Sequence, residues 1–181
     1  MQIDLSRLCS GTVKLATQGT DSIARIIDLE VIRAGEGNDI ADLTSANIIL
    51  TDAIKIYGEA GDDTLWGSNG NDTIDGGEDN DTLFGSAGDD TLTGGTGDDV
   101  FQFTATSGSD VITDFDVSGD KIELYYRAED NHSNADLNLT SGIVTWDVDN
   151  TSSDVVIDLS ATTNSSDLID FDTLITFVEI A

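Results

Sequence analysis

Large apolar residues recur every nine positions through the middle of the chain, as Leu65, Ile74, Leu83, Leu92 and Phe101. Each sits at the centre of a β-prone triplet such as Thr64-Leu65-Trp66, and each triplet follows six turn-forming residues rich in Gly, Asp and Asn. A strand of three with only its middle side chain facing inward cannot make a core alone. Two units in succession bring the chain back over its start. An 18-residue coil then stacks parallel strands on its neighbours and buries a column of the recurring apolar residues. The pattern predicts an all-β chain built on a right-handed parallel β-roll, a β-solenoid.

The flanks carry weaker versions of the same signal. Ala34-Gly35-Glu36-Gly37-Asn38-Asp39 reads as one further turn, although its offset of 24 residues to Gly58 is not a multiple of nine. Ile48–Leu50 and Ile54–Tyr57 read as strands of degenerate coils in that gap. Ile3, Leu5, Val13, Leu15 and the run Ile23–Ile32 read as irregular coils capping the roll, with helix-like spacing at Ile23, Ile26, Ile27 and Glu30. Towards the other end, Gly142–Asp149 and Val155–Leu159 alternate apolar and polar residues around Asn150-Thr151-Ser152-Ser153, the signature of an antiparallel hairpin. The expected divisions are N-terminal capping coils over 1–33, a roll over 34–102 and a C-terminal antiparallel β cap over 103–181.

The turns are as regular as the strands. Cut from Gly58, the chain reads GEAGDDTLW, GSNGNDTID, GGEDNDTLF, GSAGDDTLT, GGTGDDVFQ, five gapless units. Position one is always Gly (Gly58, Gly67, Gly76, Gly85, Gly94), and position four is Gly except at Asp79. Position five is Asp or Asn, and position six is always Asp, as Asp63, Asp72, Asp81, Asp90 and Asp99. Gly at one and four is expected to supply positive φ, and Asx at five to tolerate it.

Charge turns this frame into chemistry. The chain has 36 acidic against 7 basic residues, a net charge of -29, and 12 of the acids fall in the stretch 58–102, which has no Lys or Arg. Asp outnumbers Glu by 29 to 7, a bias that turns and hard-cation sites produce and a merely solvated face does not. Repulsion makes nucleic acid and anionic membrane surfaces poor partners. A single histidine, His132, and a single cysteine, Cys9, leave no zinc or disulfide chemistry to build. No apolar run approaches the roughly 18 residues of a membrane helix, and the N-terminus has no cleavable export signal.

Stacking two-unit coils puts the position-six carboxylates in files, Asp63, Asp81 and Asp99 on one edge and Asp72 and Asp90 on the other. At the roughly 5 Å spacing of adjacent strands they repel unless neutralised. Carboxylates and turn carbonyls without nitrogen or sulfur suit Ca²⁺ better than a transition metal or Mg²⁺.

The units resemble the glycine- and aspartate-rich nonapeptide of the repeats-in-toxin (RTX) family. The resemblance implies Ca²⁺ ions between turns two units apart, held by both position-six carboxylates, carbonyls one and three of the first turn, and carbonyls two and four of the second. One site then uses Gly58, Ala60 and Asp63 with Gly77, Asp79 and Asp81. A second uses Gly67, Asn69 and Asp72 with Ser86, Gly88 and Asp90, and a third Gly76, Glu78 and Asp81 with Gly95, Gly97 and Asp99. At least three ions are implied in the tandem, with Asp39 as an additional ligand, and Asp79 marks the first site as the departure from the pattern. Residues 100–124 resemble the segment that closes such rolls, where Asp110, Asp114 and Asp120 are either ligands of a last ion or solvated turn residues. The stretch SDLIDFDTLITFVEIA is similar to an uncleaved type I secretion signal, and is alternatively a capping strand.

No enzyme motif is present: there is no H-E-x-x-H, no G-x-S-x-G and no phosphate loop. Asp147, Asp149 and Asp154 imitate an EF-hand loop but have Ser152 where that loop needs Gly. The resemblance implies a calcium-binding module, monomeric in isolation, of a larger secreted or cell-surface protein that passes the type I secretion machinery unfolded. The alternative is an extracellular adhesin-type domain that presents Trp66 and Phe84, outward at position nine, to a sugar or protein ligand. Burial of both rings against residues beyond 125 would weigh against it.

Overall fold

The computed structural model describes residues 2–4, 12–14, 30–44, 50–127, 137–140, 143–146, 155–159 and 175–180. Among them every regular element is a strand. In chain order these are β1 (Gln2–Asp4), β2 (Thr12–Lys14), β3 (Val31–Glu36), β4 (Ile40–Asp42), β5 (Lys55–Ala60), β6 (Thr64–Trp66), β7 (Thr73–Glu78) and β8 (Thr82–Phe84). Then follow β9 (Thr91–Thr96), β10 (Val100–Thr104), β11 (Ser109–Ile112), β12 (Lys121–Arg127), β13 (Leu137–Thr140), β14 (Ile143–Trp146), β15 (Val155–Asp158) and β16 (Ile175–Ile180).

From β1 to β12 successive strands alternate between two sheets, ordered β1-β3-β5-β7-β9-β11-β15-β14-β13 and β16-β12-β10-β8-β6-β4-β2. Pairing is parallel throughout the roll, with Thr64 opposite Thr82, Thr82 opposite Val100 and Thr73 opposite Thr91. The 18-residue coil is therefore the repeating unit of a parallel β-roll. The 24-residue offset is a longer coil in the same stack, since Ile40 pairs with Thr64 and Val31 with Lys55.

Each three-residue strand of the tandem buries only its middle residue. Leu65, Ile74, Leu83, Leu92 and Phe101 are fully buried and join Ile32, Ile56, Phe103, Ile112, Ile122 and Leu124 in one continuous core. Each such side chain contributes about 1.5–3 kcal/mol of burial free energy, the main offset to the entropy of ordering so many turns.

The C-terminal strands extend both sheets. The hairpin forms as β14 with β15, antiparallel, and β13 adds to β14 in the same sense. They join the roll by parallel pairing, β15 with β11 and β16 with β12 over Ile122–Arg127. Trp146 fills the space beneath, edge-on to Phe177. Ile54–Tyr57 belongs to β5, which begins one residue later at Lys55. The helix-like run at Ile23–Ile27, the strand at Ile48–Ile49 and the EF-hand imitation at Asp147–Asp154 lie outside the described residues.

Candidate metal centre

The turns between the sheets form two edges. On one, Asp39, Asp63, Asp81, Asp99 and Asp120 stand in file; on the other, Asp72, Asp90 and Asp110 do. All eight side chains are buried, at 5% exposure or less. The amide of each aspartate donates to Oδ1 of the next in the file: Asp39 to Asp63 (2.7 Å), Asp63 to Asp81 (2.8 Å), Asp81 to Asp99 (2.8 Å) and Asp99 to Asp120 (2.9 Å). Across the roll Asp72 donates to Asp90 (2.7 Å) and Asp90 to Asp110 (2.9 Å). Ile54 occupies the place before Asp72, its amide on Asp72 Oδ1, so that file begins without a carboxylate.

Position five carries a second ladder running the opposite way. Asp62 N–H donates to Asn38 Oδ1, Asn80 N–H to Asp62 Oδ1, Asp98 N–H to Asn80 Oδ1, and on the far edge Asp89 N–H to Asn71 Oδ1. The residue type at five is thus explained by acceptor chemistry. Positive φ falls elsewhere, at positions two and four: Glu59 (81°), Gly61 (120°), Gly77 (115°), Asp79 (75°), Gly95 (102°) and Gly97 (148°). The expectation of positive φ at position one is corrected accordingly. Gly is needed there for space, since a Cβ on Gly76 would strike Asp81 Oδ2 and the Gly94 carbonyl.

With Oδ1 engaged in the ladder, Oδ2 is the oxygen left over. Oδ2 of Asp63, Asp81, Asp90 and Asp110 is buried without a hydrogen-bond partner. In the tandem these oxygens face the position-one glycines, and for Asp63 and Asp81 they lie beside the carbonyl of the glycine one coil on, Gly76 at Gly58 and Gly94 at Gly76. Asp72 differs, because Ser68 N–H (2.6 Å) and Ser68 Oγ (2.9 Å) both bind its Oδ2.

Of the main-chain oxygens that the resemblance assigns to ions, those of Ala60 and Glu78 also accept from Gly37 N–H (2.7 Å) and Gly61 N–H (3.1 Å). Each keeps a second lone pair for another partner. Gly58, Gly67, Asn69, Gly76, Gly77, Asp79, Ser86, Gly88, Gly95 and Gly97 all lie in the turns of the same two edges, with Asn69, Asp79, Gly95 and Gly97 exposed.

Desolvation dominates the electrostatics. Burial first, only partly countered by the ladder hydrogen bonds, and then the neighbouring carboxylates push Asp63 up to about 6, Asp81 and Asp90 to about 7 and Asp110 to about 8. A group whose folded pKa lies above its ordinary 3.8 stabilises the fold below that value, and the contribution is lost as pH rises through the folded pKa. In chelator the folded fraction should therefore be larger near pH 6 than near pH 8. Circular dichroism in a chelator that stays effective at both pH values checks this, and the opposite trend would contradict the burial of the files.

The donor set fits a hard cation. Among the described residues no three His, Cys, Asp or Glu side chains converge, so a cation would be held by two carboxylates and main-chain oxygens. Asp81 sits between Asp63 and Asp99 and belongs to two such pairs. The closing turn, which the nonapeptide frame does not reach, separates its three acids. Asp110 and Asp120 take file positions, whereas Asp114 accepts from Gly94 and Gly95 amides. The Gly-x-Asp of 108–110 and the Gly-Asp of 119–120 were the available signals, hidden by coils of 20 and 21 residues instead of 18.

Outside the edges, Trp66 and Phe84 pair across β6 and β8 and, with Gln102, Thr104, Tyr125, Thr44 and Ile180, line an apolar groove. Both rings are half-buried.

A parallel roll whose edges are files of buried aspartates, several with an unpartnered Oδ2, is a solenoid repeat protein with edges whose donor set suits a hard cation. Residues 55–83 and 75–103 match the family model of the RTX calcium-binding nonapeptide repeat (4 copies). The chain thus carries an RTX calcium-binding repeat region, in the place where its sequence resembles one. No curated protein matches the chain.

Proposed function

We propose that the chain is a calcium-dependent folding module of a larger exported protein, disordered where Ca²⁺ is scarce and ordered outside the cell. The observation that carries this reading is the set of buried, unpartnered Oδ2 atoms on Asp63, Asp81, Asp90 and Asp110. At neutral pH these carboxylates must either ionise against one another in a dry edge or hold protons well above their usual range. The position-one glycines bring main-chain oxygens up to Oδ2, and the Oδ1 ladder fixes the carboxylates' orientation. Bound Ca²⁺ supplies the positive charge that these oxygens lack. Its affinity for extracellular modules, about 10⁻⁴ to 10⁻³ M, matches a switch set by the step from cytosol to exterior.

Export by the type I route in the unfolded state follows from the same balance. Uncompensated files favour the loose chain inside, and the C-terminal segment with β16 serves as signal, strand or both. Titrating Ca²⁺ into chelated protein while recording circular dichroism tests the reading. A cooperative gain of β-structure with Ca²⁺ and none with equal Mg²⁺ is expected. Full β-structure in chelator at neutral pH, or an equal response to Mg²⁺, would overturn it.

A further inference from the structure

We infer that Ser68 takes the place of a cation on the Asp72 carboxylate, so that the turn 67–72 is closed without metal and starts its edge of the roll. The inference rests on the calcium reading above and narrows it, because it removes the ion that the repeat pattern implies between Asp72 and Asp90. The turns 67–72 and 85–90 stack on that edge and share Gly-Ser-x-Gly-x-Asp, as GSNGND and GSAGDD. The same residue types give two conformations. Ser86 (82°) and Gly88 (132°) have positive φ, as do positions two and four of the turns 58–63, 76–81 and 94–99. Neither Ser68 nor Gly70 does. Ser86 thus carries the strain of an L-residue in that region, and Ser68 is spared it.

The difference reaches the aspartate. In the turn 85–90, Asp90 Oδ2 is buried with no hydrogen-bond partner. In the turn 67–72, Ser68 N–H donates to Asp72 Oδ2 (2.6 Å), while Ser68 Oγ donates to the same oxygen (2.9 Å) and accepts from Gly70 N–H (3.2 Å). Ile54 N–H donates to Asp72 Oδ1 (2.8 Å). Both carboxylate oxygens are therefore engaged, and Ser68 and Asp72 are each 2% exposed. Three donors stabilise a buried carboxylate without a counter-ion, and a cation on Oδ2 would have to displace two of them.

The layer beneath selects the conformation. The turn 85–90 rests on another glycine turn, with Gly88 packed against the Gly70 carbonyl. The turn 67–72 rests on residues 50–54, which contain no glycine and place Ile54 where the file would need a carboxylate. There Asn69 N–H donates to the Leu50 carbonyl (2.9 Å), and Gly70 lies so close to the carbonyls of Thr51 and Asp52 that an added Cβ would strike both. On the opposite edge Asp39 precedes Asp63, and Glu59 and Gly61 have positive φ. The edge that starts without a carboxylate is the one that starts with a serine-closed turn.

Ser68→Gly tests the inference, because it deletes the hydroxyl and lets position two adopt the positive φ of Gly77 and Gly95. Bound Ca²⁺ is counted by equilibrium dialysis with metal analysis. The variant should bind one ion more than the wild type, and adding Asp72→Asn to it should abolish the gain. An unchanged count in Ser68→Gly, or a gain that survives in the double variant, would overturn the proposal. Asp81→Asn in the same assay separates this from the parent reading: it should bind fewer ions than the wild type, and an unchanged count there would refute bridging by the files altogether. A crystal structure of the calcium-loaded wild type decides the matter even if a variant fails to fold. Ser68 N–H and Oγ on Asp72 Oδ2 support the closed turn, and an ion on that oxygen overturns it.

Discussion

Asp81→Asn should raise the Ca²⁺ concentration for half-folding by at least about tenfold, the equivalent of about 1.4 kcal/mol, while leaving more of the chain folded in chelator. The two effects have opposite signs for one reason. Asp81 is 1% exposed, and burial with the adjoining Asp63 and Asp99 charges holds its carboxyl up at about 7, so at neutral pH the metal-free fold is opposed by its ionisation. Asparagine removes that opposition and retains an Oδ1 acceptor for Asp63 N–H. It also removes a charged oxygen from two carboxylate pairs, and charge-assisted contacts contribute about 1.5–3 kcal/mol each. Asp81→Ala deletes the acceptor as well and should be worse under both conditions, by roughly 1–3 kcal/mol for the stranded amide. Asp39→Asn, whose one file neighbour among the described residues is Asp63, should move the midpoint less. Parallel titrations of the three variants read this out. Equal midpoints for the Asp39 and Asp81 variants would show that ions do not bridge successive turns.

The second large effect is expected in the core. Phe101→Ala should cost about 3–5 kcal/mol and lower the melting temperature in saturating Ca²⁺ by on the order of 10 °C. Phe101 is fully buried, lies 6.0 Å from Phe115 between ring centroids, and pairs with Leu83 on one side and Ile122 on the other. It therefore joins the last tandem coil to the closing coil. In a quasi-one-dimensional stack each coil is supported by its immediate neighbours, so a cavity there also weakens everything attached beyond it. Calorimetry of the calcium-loaded variant measures the loss, and a shift no larger than that of a surface substitution would contradict the continuous core. Thr82→Ala, on a half-buried position of β8, is the control.

The roll was legible because its two signals are independent and agree. Period-nine apolar residues define the buried column, and Asp at position six defines the edge; both can be read without any contact information. The files Asp63-Asp81-Asp99 and Asp72-Asp90 follow from pairing the units two by two. What the frame could not show is what happens when coil length changes. Asp110 and Asp120 keep their place in the files although their coils have 20 and 21 residues, because the hydrogen-bond register at Asp90 and Asp99 recruits them whatever the length of the loop between. Ile54 holds a file place with no carboxylate for the same geometric reason.

Backbone detail was the least legible. Glycine at position one suggested a left-handed turn, yet what it relieves is a collision between Asp Oδ2 and a neighbouring carbonyl, a three-dimensional fact absent from local propensity. Glu59, Asp79 and Ser86 adopt positive φ without being glycine, held there by the coils above and below. The sense of the C-terminal attachment was hidden for a related reason. Alternation over Gly142–Leu159 specifies a hairpin but says nothing about which strand the hairpin joins, and β15 runs parallel to β11.

Two nonapeptides make one coil, and the strands they supply belong to different sheets, which gives the repeat number a parity. Adding or removing a pair of units lengthens or shortens the stack and leaves every later residue on its own side. Removing a single unit would exchange the sides for all that follows. Residues facing out beside Trp66 and Phe84 would move to the sheet that carries Asp75 and Thr93, and the turn that meets Val156 would arrive at the wrong edge. Length variation in such a chain is therefore quantised in steps of 18 residues within the tandem, and the freedom to vary by other amounts is confined to the coils at its two ends, where the separations are 24, 20 and 21.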